Sequence, residues 1–310
     1  MSQKHPIIAV TGSAGAGTTS VQHSFAEIFR RLDIDAAVVQ GDAFFRHNRN
    51  DMAKAIADSI AAGKPISHFG PEANLFAELE TLFREYSATG AGKVRQYASD
   101  EEDAARHNIP VGEFSDWTPL PAGSDLLFYE GMHGGVTAST WTRRRSSPAH
   151  LPLDFPDRRK GDSGVDVSQY VDLLIGVVPA INLEWIQKIH RECSQERSAR
   201  EEAASAILRR MNDYIHFIVP QFSITDINFQ RVPMVDTSNP FGAEDIPTAD
   251  ESLVVIHFRD PKRHDFPALM EKIPGAFMSR RNTMVVPGGT MAHALEVVCT
   301  PIIRSLIHSV

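Results

Sequence analysis

Cysteine is almost missing from this sequence: 310 residues hold two, Cys193 and Cys299. They lie far apart and fit no metal-ligand spacing. That excludes a disulfide framework and a cysteine-built zinc module, and it suits a reducing compartment. Surplus positive charge is lacking as well. Lysine and arginine number 31 against 39 aspartates and glutamates, for a formal net charge of -8. Such a chain is a poor general binder of nucleic acid, whose affinity rests on neutralised phosphates. Local basic groups can still hold a small phosphorylated ligand. No apolar run reads as long enough to cross a bilayer, and no leader is recognised before the first strand. The expectation is a cytoplasmic protein with no membrane partner. Internal repeats and clean linkers are absent too. Core material is plentiful: 42% of the residues are hydrophobic, enough for one large α/β domain or two smaller ones and too much for global disorder.

The chain opens on Ile7 to Thr11, an apolar strand pattern, and turns through Gly12, Ser13, Ala14, Gly15, Ala16, Gly17, Thr18 and Thr19. Val21, Phe25, Ile28, Phe29 and Leu32 then recur at helical spacing. A strand, a glycine-rich turn and a helix together make a polyphosphate cradle, because inward backbone N–H groups and the helix N-terminus both favour an anion. Gly12 and Gly17 have the spacing of a P-loop, with Thr19 where a Mg²⁺-binding hydroxyl belongs. One more absence matters here: Thr18 stands where the phosphate-binding lysine is usual. A plain βα turn is the rival reading, and a dinucleotide fingerprint is disfavoured because Gly12, Gly15 and Gly17 do not have its spacing.

Asp35 to Gln40 reads as a second strand that ends at Gly41 and Asp42. A β-α-β opening implies a parallel sheet, whose ligands sit beyond the carboxyl ends of the strands. Asp42 is on that edge, with Arg46 and Arg49 following closely and expected to converge near the phosphates. Asp125 to Tyr129 is a third strand, ending in Glu130 and a glycine turn, where P-loop enzymes keep an acid for Mg²⁺. Met52 to Ala62 and Glu72 to Tyr86 read as helices, Thr89 to Gly123 as a long irregular stretch, and Trp141 to Asp166 as an irregular insertion rich in arginine and proline. Val171 to Pro179 is another strand. A helix from Asn182, continuing through Glu201 to Met211, carries Lys188 and Arg191 on one face. Thr225 to Val235, Leu253 to Arg259 and Thr283 to Pro287 read as strands, and Ala292 to Ile307 as the closing helix. The expected architecture is a P-loop NTPase-like α/β fold with a mixed, mainly parallel sheet. It is read as one domain over 1–310, with an insertion at 141–166 and a β-rich C-terminal portion.

The stretches Gly12 to Thr19, Gly41 to Phe44, Phe128 to Gly131, Ile181 to Arg191, Asp226 to Pro233 and Pro247 to Ser252 together resemble bacterial phosphoribulokinases, of the phosphoribulokinase/uridine kinase family. In that family the phosphate loop also lacks the lysine. The resemblance implies an ATP- and Mg²⁺-dependent kinase that phosphorylates the 1-hydroxyl of ribulose 5-phosphate for carbon fixation. It implies Asp42 as the base, Glu130 as the second acid at Mg²⁺, and Lys188 and Arg191 as the cations on the transferring phosphoryl group. Arg49 matches a sugar-phosphate ligand, and Arg197 is the candidate to replace another, since Glu196 falls on that arginine's position. Arg209 and Arg210 match a basic pair. Phe45 and Ser99 stand where histidines are usual, and Glu192 replaces an aspartate. The family further implies a homo-oligomer, up to an octamer, with NADH and AMP as effectors. Arg31 and Arg280 match positions tied to that response, whereas His257 replaces an arginine. Two rivals stay open: a paralogous kinase acting on another sugar or sugar phosphate, and a nucleotide-binding regulator without turnover.

Overall fold

A computed structural model of the chain describes residues 5–12, 18–137, 165–192 and 197–308. The side chains of 18–20, 179, 192 and 197–199 are outside that description. Strand β1 (Ile7–Gly12) is buried along its whole length, as its unbroken apolar run requires. It lies in parallel between β5 (Leu126–Gly131) and β6 (Leu173–Pro179). β2 (Ala36–Gln40) flanks β5, also in parallel, and β7 (Ile227–Pro233) flanks β6. β8 (Ser252–Phe258), β10 (Thr283–Pro287) and β9 (Phe277–Arg280) complete the sheet as antiparallel neighbours. The order is β2-β5-β1-β6-β7-β8-β10-β9, the mainly parallel mixed sheet expected.

Each face of the sheet has its own core. Ile8, Val10, Phe128, Ile175, Phe229 and Ile256 pack with Phe25 and Ile28 of α1 (Thr18–Leu32) and with Leu295, Val298 and Ile303 of α8 (Met291–His308). Ile7, Ala9, Leu127, Tyr129 and Leu174 on the other face meet Leu79, Leu82, Phe83 and Tyr86 of α3 (Phe76–Thr89). Those are the residues of the apolar stripe, so α3 forms where the spacing predicts. It begins later than Glu72, because Arg46 donates its N–H to Ala73 O (2.8 Å) and Leu75 donates to Phe44 O (2.8 Å). That pairing, an antiparallel bridge between Phe45 and Asn74, keeps 73–75 out of the helix.

Several expectations need correction. The stretch 89–123 is not irregular throughout: it holds the hairpin β3 (Lys93–Val94) and β4 (Thr118–Pro119), and helix α4 (Glu101–His107). Asp100 caps α4 by accepting from Asp103 N, with acids in its first turn and Arg106 and His107 in its last. The helix read from 182 to 211 is described as two, α5 (Ile181–Glu192) and α6 (Arg197–Asp213). A π turn (Tyr214–Ile218) and a 3-10 turn (Val219–Ser223) follow α6. Beyond the helix α2 (Arg49–Ala61), already expected, α7 (Phe266–Lys272) and β9 were not anticipated. By length and composition alone, Gly288–His308, 21 residues with an 18-residue window of mean hydropathy 1.2, is able to cross a membrane. Here it is the core helix α8, with Ala294, Leu295, Val298, Cys299 and Ile303 buried and Glu296 paired with Arg31. Most of the 141–166 insertion lies outside the described residues.

Candidate active site

Parallel pairing brings the carboxyl ends of β1, β2 and β5 to one edge. Glu130 is in register with Gln40 on one side and Val10 on the other. Two residues past Gln40 is Asp42, in the 3-10 turn Gly41–Phe44, and two past Val10 is Gly12. The Gly41 turn runs close over Gly131 because neither carries a side chain at the crossing. A Cβ on Gly41 would meet Tyr129 Oη at 2.6 Å and Gly131 Cα at 2.8 Å, and one on Gly131 would meet Gly41 Cα at 2.7 Å. Gly12 is equally constrained, since a Cβ there would lie 2.4 Å from Val177 O. Backbone-only crossings thus set Asp42, Glu130 and the root of the glycine-rich segment side by side.

Asp42 is partly buried, and its carboxyl is pushed up to about 6, chiefly by burial and then by the negative charge of Asp103. Its turn is anchored by the buried Ala43 and Phe44. Arg95, which no sequence pattern singles out, holds the same turn. Its Nε donates to Ala43 O (2.8 Å) and its Nη2 to Phe45 O (2.5 Å), while the guanidinium lies 3.7 Å over the Phe114 ring. The partner carbonyls are some fifty positions away in sequence, so no local pattern announces the clamp. Asp103, also missed, receives the Ser99 hydroxyl (2.7 Å) and faces Arg106 at 3.3 Å.

Arg49 opens α2 behind the cap Asn48, and its Nη2 donates to Ser99 O (2.6 Å). A cavity of about 260 Å³ opens there, lined by Phe45, Asn48, Arg49, Met52, His68 and Tyr97. Phe45 stands edge-on to both Tyr97 and His68. Arg46 departs from expectation: its Nη2 donates to Asn74 O (3.0 Å), so it braces the 71–74 backbone where convergence near the phosphates was expected. Lys188, partly buried, and Arg191, exposed, sit three residues apart on α5, the helix that leaves the carboxyl end of β6. Thr18 and Thr19 begin α1, but their side chains lie outside the described residues, as do Ser13, Ala14, Gly15, Ala16 and Gly17. The same holds for the side chain of Arg197 and for Cys193 and Glu196. Among the described residues no cluster of three or more His, Cys, Asp or Glu is arranged to hold a metal.

The model of the phosphoribulokinase / uridine kinase family matches residues 7–238. The chain belongs to that family. Among its relatives, a phosphoribulokinase of Nitrobacter vulgaris is 50% identical over 308 residues, covering 99% of this chain and 98% of the relative. Phosphoribulokinase 1 of Cereibacter sphaeroides is likewise 50% identical over 308 residues, with the same coverage. A solved phosphoribulokinase from Rhodobacter spheroides superposes with a TM-score of 0.85 at 48% identity, over 99% of both chains. Asp42, Glu130 and Gly12 lie together at the carboxyl edge of the parallel strands, where α/β sheets bind their ligands. The sheet order and the P-loop kinase fold agree with that membership.

Proposed function

We propose that the protein is an ATP-dependent kinase that phosphorylates ribulose 5-phosphate at its 1-hydroxyl, giving the 1,5-bisphosphate used in carbon fixation. The observation that carries the reading is half identity to phosphoribulokinases over essentially the full length of both chains. Asp42 accepts the proton of the acceptor hydroxyl. The oxygen then attacks the γ-phosphorus, the bond to the β-phosphate oxygen breaks, and ADP leaves with the electron pair. A carboxyl pushed up to about 6 is ionised at neutral pH and still basic enough to take a proton. Lys188 and Arg191 neutralise the charge on the transferring group, which replaces the missing loop lysine. Arg49 and Arg197 hold the sugar phosphate. Glu130 and Thr19 hold Mg²⁺, and a carboxylate at a strand end beside a glycine root suits such a hard cation. Held there, Mg²⁺ would supply positive charge against the phosphates of ATP.

A second reading, a paralogue with another acceptor, is favoured by Phe45: an aromatic edge in the acceptor cavity offers no hydrogen bond where the family has histidine. The chain is also read as one kinase domain, since a single sheet takes strands from Ile7 to Pro287, and as a cytoplasmic homo-oligomer, up to an octamer. NADH and AMP are its effectors in this reading. His257 and Arg280 line a cleft of about 520 Å³ over β7, β8 and β10, whereas Arg31 is tied to Glu27 and Glu296. An ADP-release assay with ATP, Mg²⁺ and a panel of pentose phosphates tests the function. Turnover that favours ribulose 5-phosphate supports it, turnover only with another acceptor moves the reading to the paralogue, and ATP binding without turnover on any acceptor leaves a regulator.

A further inference from the structure

One buried side chain ties together three segments that the reaction edge depends on. Gln221, 2% exposed, lies in the turn that follows α6 and has every hydrogen-bonding position of its carboxamide in use. Its Oε1 accepts from the Thr11 hydroxyl (2.8 Å) and from Gly135 N (3.0 Å). Its Nε2 donates to Met132 O (2.9 Å) and Phe217 O (2.6 Å). The Thr11 hydroxyl also lies 3.1 Å from Met132 O. Thr11 immediately precedes Gly12 at the end of β1, and Met132 and Gly135 belong to the turn that leaves Glu130 and Gly131. A carboxamide offers two donors and two acceptors, and here all four are met by partners from the end of β1, the turn after β5 and the turn after α6. Burial makes the arrangement exacting, because a missed bond in this place leaves a desolvated polar group.

We infer that Gln221 is a positioning residue for the phosphoryl-transfer edge: it fixes the end of β1 at Gly12 against the Glu130 turn, acting through the Thr11 hydroxyl. All its polar partners are protein groups, so it acts on substrate only through them. The inference rests on the reading of that edge as an ATP site. Thr11 is the sharper probe, since Thr11→Val removes one hydroxyl at nearly constant volume and Thr11→Ser keeps it. Removing a single buried hydrogen bond of this kind is expected to weaken binding of Mg-ATP about five- to tenfold, measured by isothermal titration without acceptor. KM for the acceptor should move less than about twofold, and Thr11→Ser should restore ATP affinity. Gln221→Met should act in the same direction and more strongly, and the double variant Thr11→Val, Gln221→Met should be no worse than Gln221→Met alone. Wild-type ATP affinity and kcat in Thr11→Val, with only a lower Tm, would overturn the inference. So would loss of affinity that Thr11→Ser fails to rescue. If Gln221→Met does not fold, the Thr11 pair decides alone. Because ATP affinity is read without acceptor, failure of the wild-type protein to phosphorylate ribulose 5-phosphate would end the functional reading while leaving this one to its own result.

Discussion

A carboxylate held partly out of water at the end of a strand is harder to ionise than one on a surface, and Asp42 is in that position. Its value of about 6 sets where activity should fail on the acid side: kcat/KM rises with pH through about 6, because only the ionised form accepts the hydroxyl proton. Asp103→Asn removes the negative charge that is the second cause of the shift. The acid limb should therefore move to lower pH yet stay above the ordinary aspartate range, since burial persists. A limb that does not move would show that Asp103 has no hold on the base. Asp42→Asn should lower kcat by roughly two to four orders of magnitude, and near-normal turnover would remove Asp42 from the base role. Asp42 is legible in the sequence because it directly follows a glycine, two residues past the end of a strand, at the edge where parallel sheets put ligands. Arg95, Asp103 and Gln221 are not legible. Their work is done on partners about fifty, sixty and two hundred positions away, and an arginine or glutamine read alone has no periodicity to mark it.

At the level of elements, the crossing of the Gly41 turn over Gly131 decides how near Asp42 and Glu130 come. Gly131→Ala adds a Cβ that meets Gly41 Cα at 2.7 Å as well as Tyr129 Oη. A hydroxyl on a side chain can shift, but the Cα of a neighbouring strand end cannot shift without moving the turn. Overpacking of this kind should destabilise the protein by about 1–3 kcal/mol in denaturant titration. Adding Tyr129→Phe should recover only a minor part, since the Gly41 contact is untouched. Full recovery in the double variant would assign the clash to the hydroxyl alone. Local signals explain which elements could be read. The leucine stripe gives α3, and unbroken apolar runs give β1, β5 and β6. The α3 start is misplaced because pairing of 73–75 with 44–46 overrides helix propensity, and nothing local reports that pairing. α4 carried a readable cap, Asp100 with acids after it and Arg106-His107 at its end, but the helix is short, has no fully buried residue and shows no apolar period.

For the whole molecule, two titratable groups, His133 buried and Asp42 partly buried, pull acid stability in opposite directions. His133, between the sheet and α3, is 4% exposed and stands edge-on to Phe76. Burial pushes its imidazole down to about 3 from the ordinary 6.5. The folded protein thus keeps His133 neutral while the unfolded chain takes a proton, and stability is lost as pH falls below 6.5, with the loss complete near 3. Asp42 does the reverse: its folded value lies above the unfolded one, so ionising it disfavours folding, and acidification through about 6 relieves that penalty. Between pH 7.5 and 5 the histidine removes about 2 kcal/mol and the aspartate returns about 1 kcal/mol, its shift being discounted for partial exposure. The histidine wins, and these two groups together make the fold less stable at pH 5. His133→Gln, which cannot take that proton, should narrow the difference between denaturation free energies at pH 7.5 and pH 5 by about 2 kcal/mol. Asp42→Asn should instead raise Tm at pH 7.5, with the gain fading toward pH 4. An unchanged pH dependence in His133→Gln would mean that His133 takes up its proton in the folded state. The two variants separate because the residues act on opposite sides of one balance: Asp42 is strained at the pH where it has work to do, and His133 only where it has none.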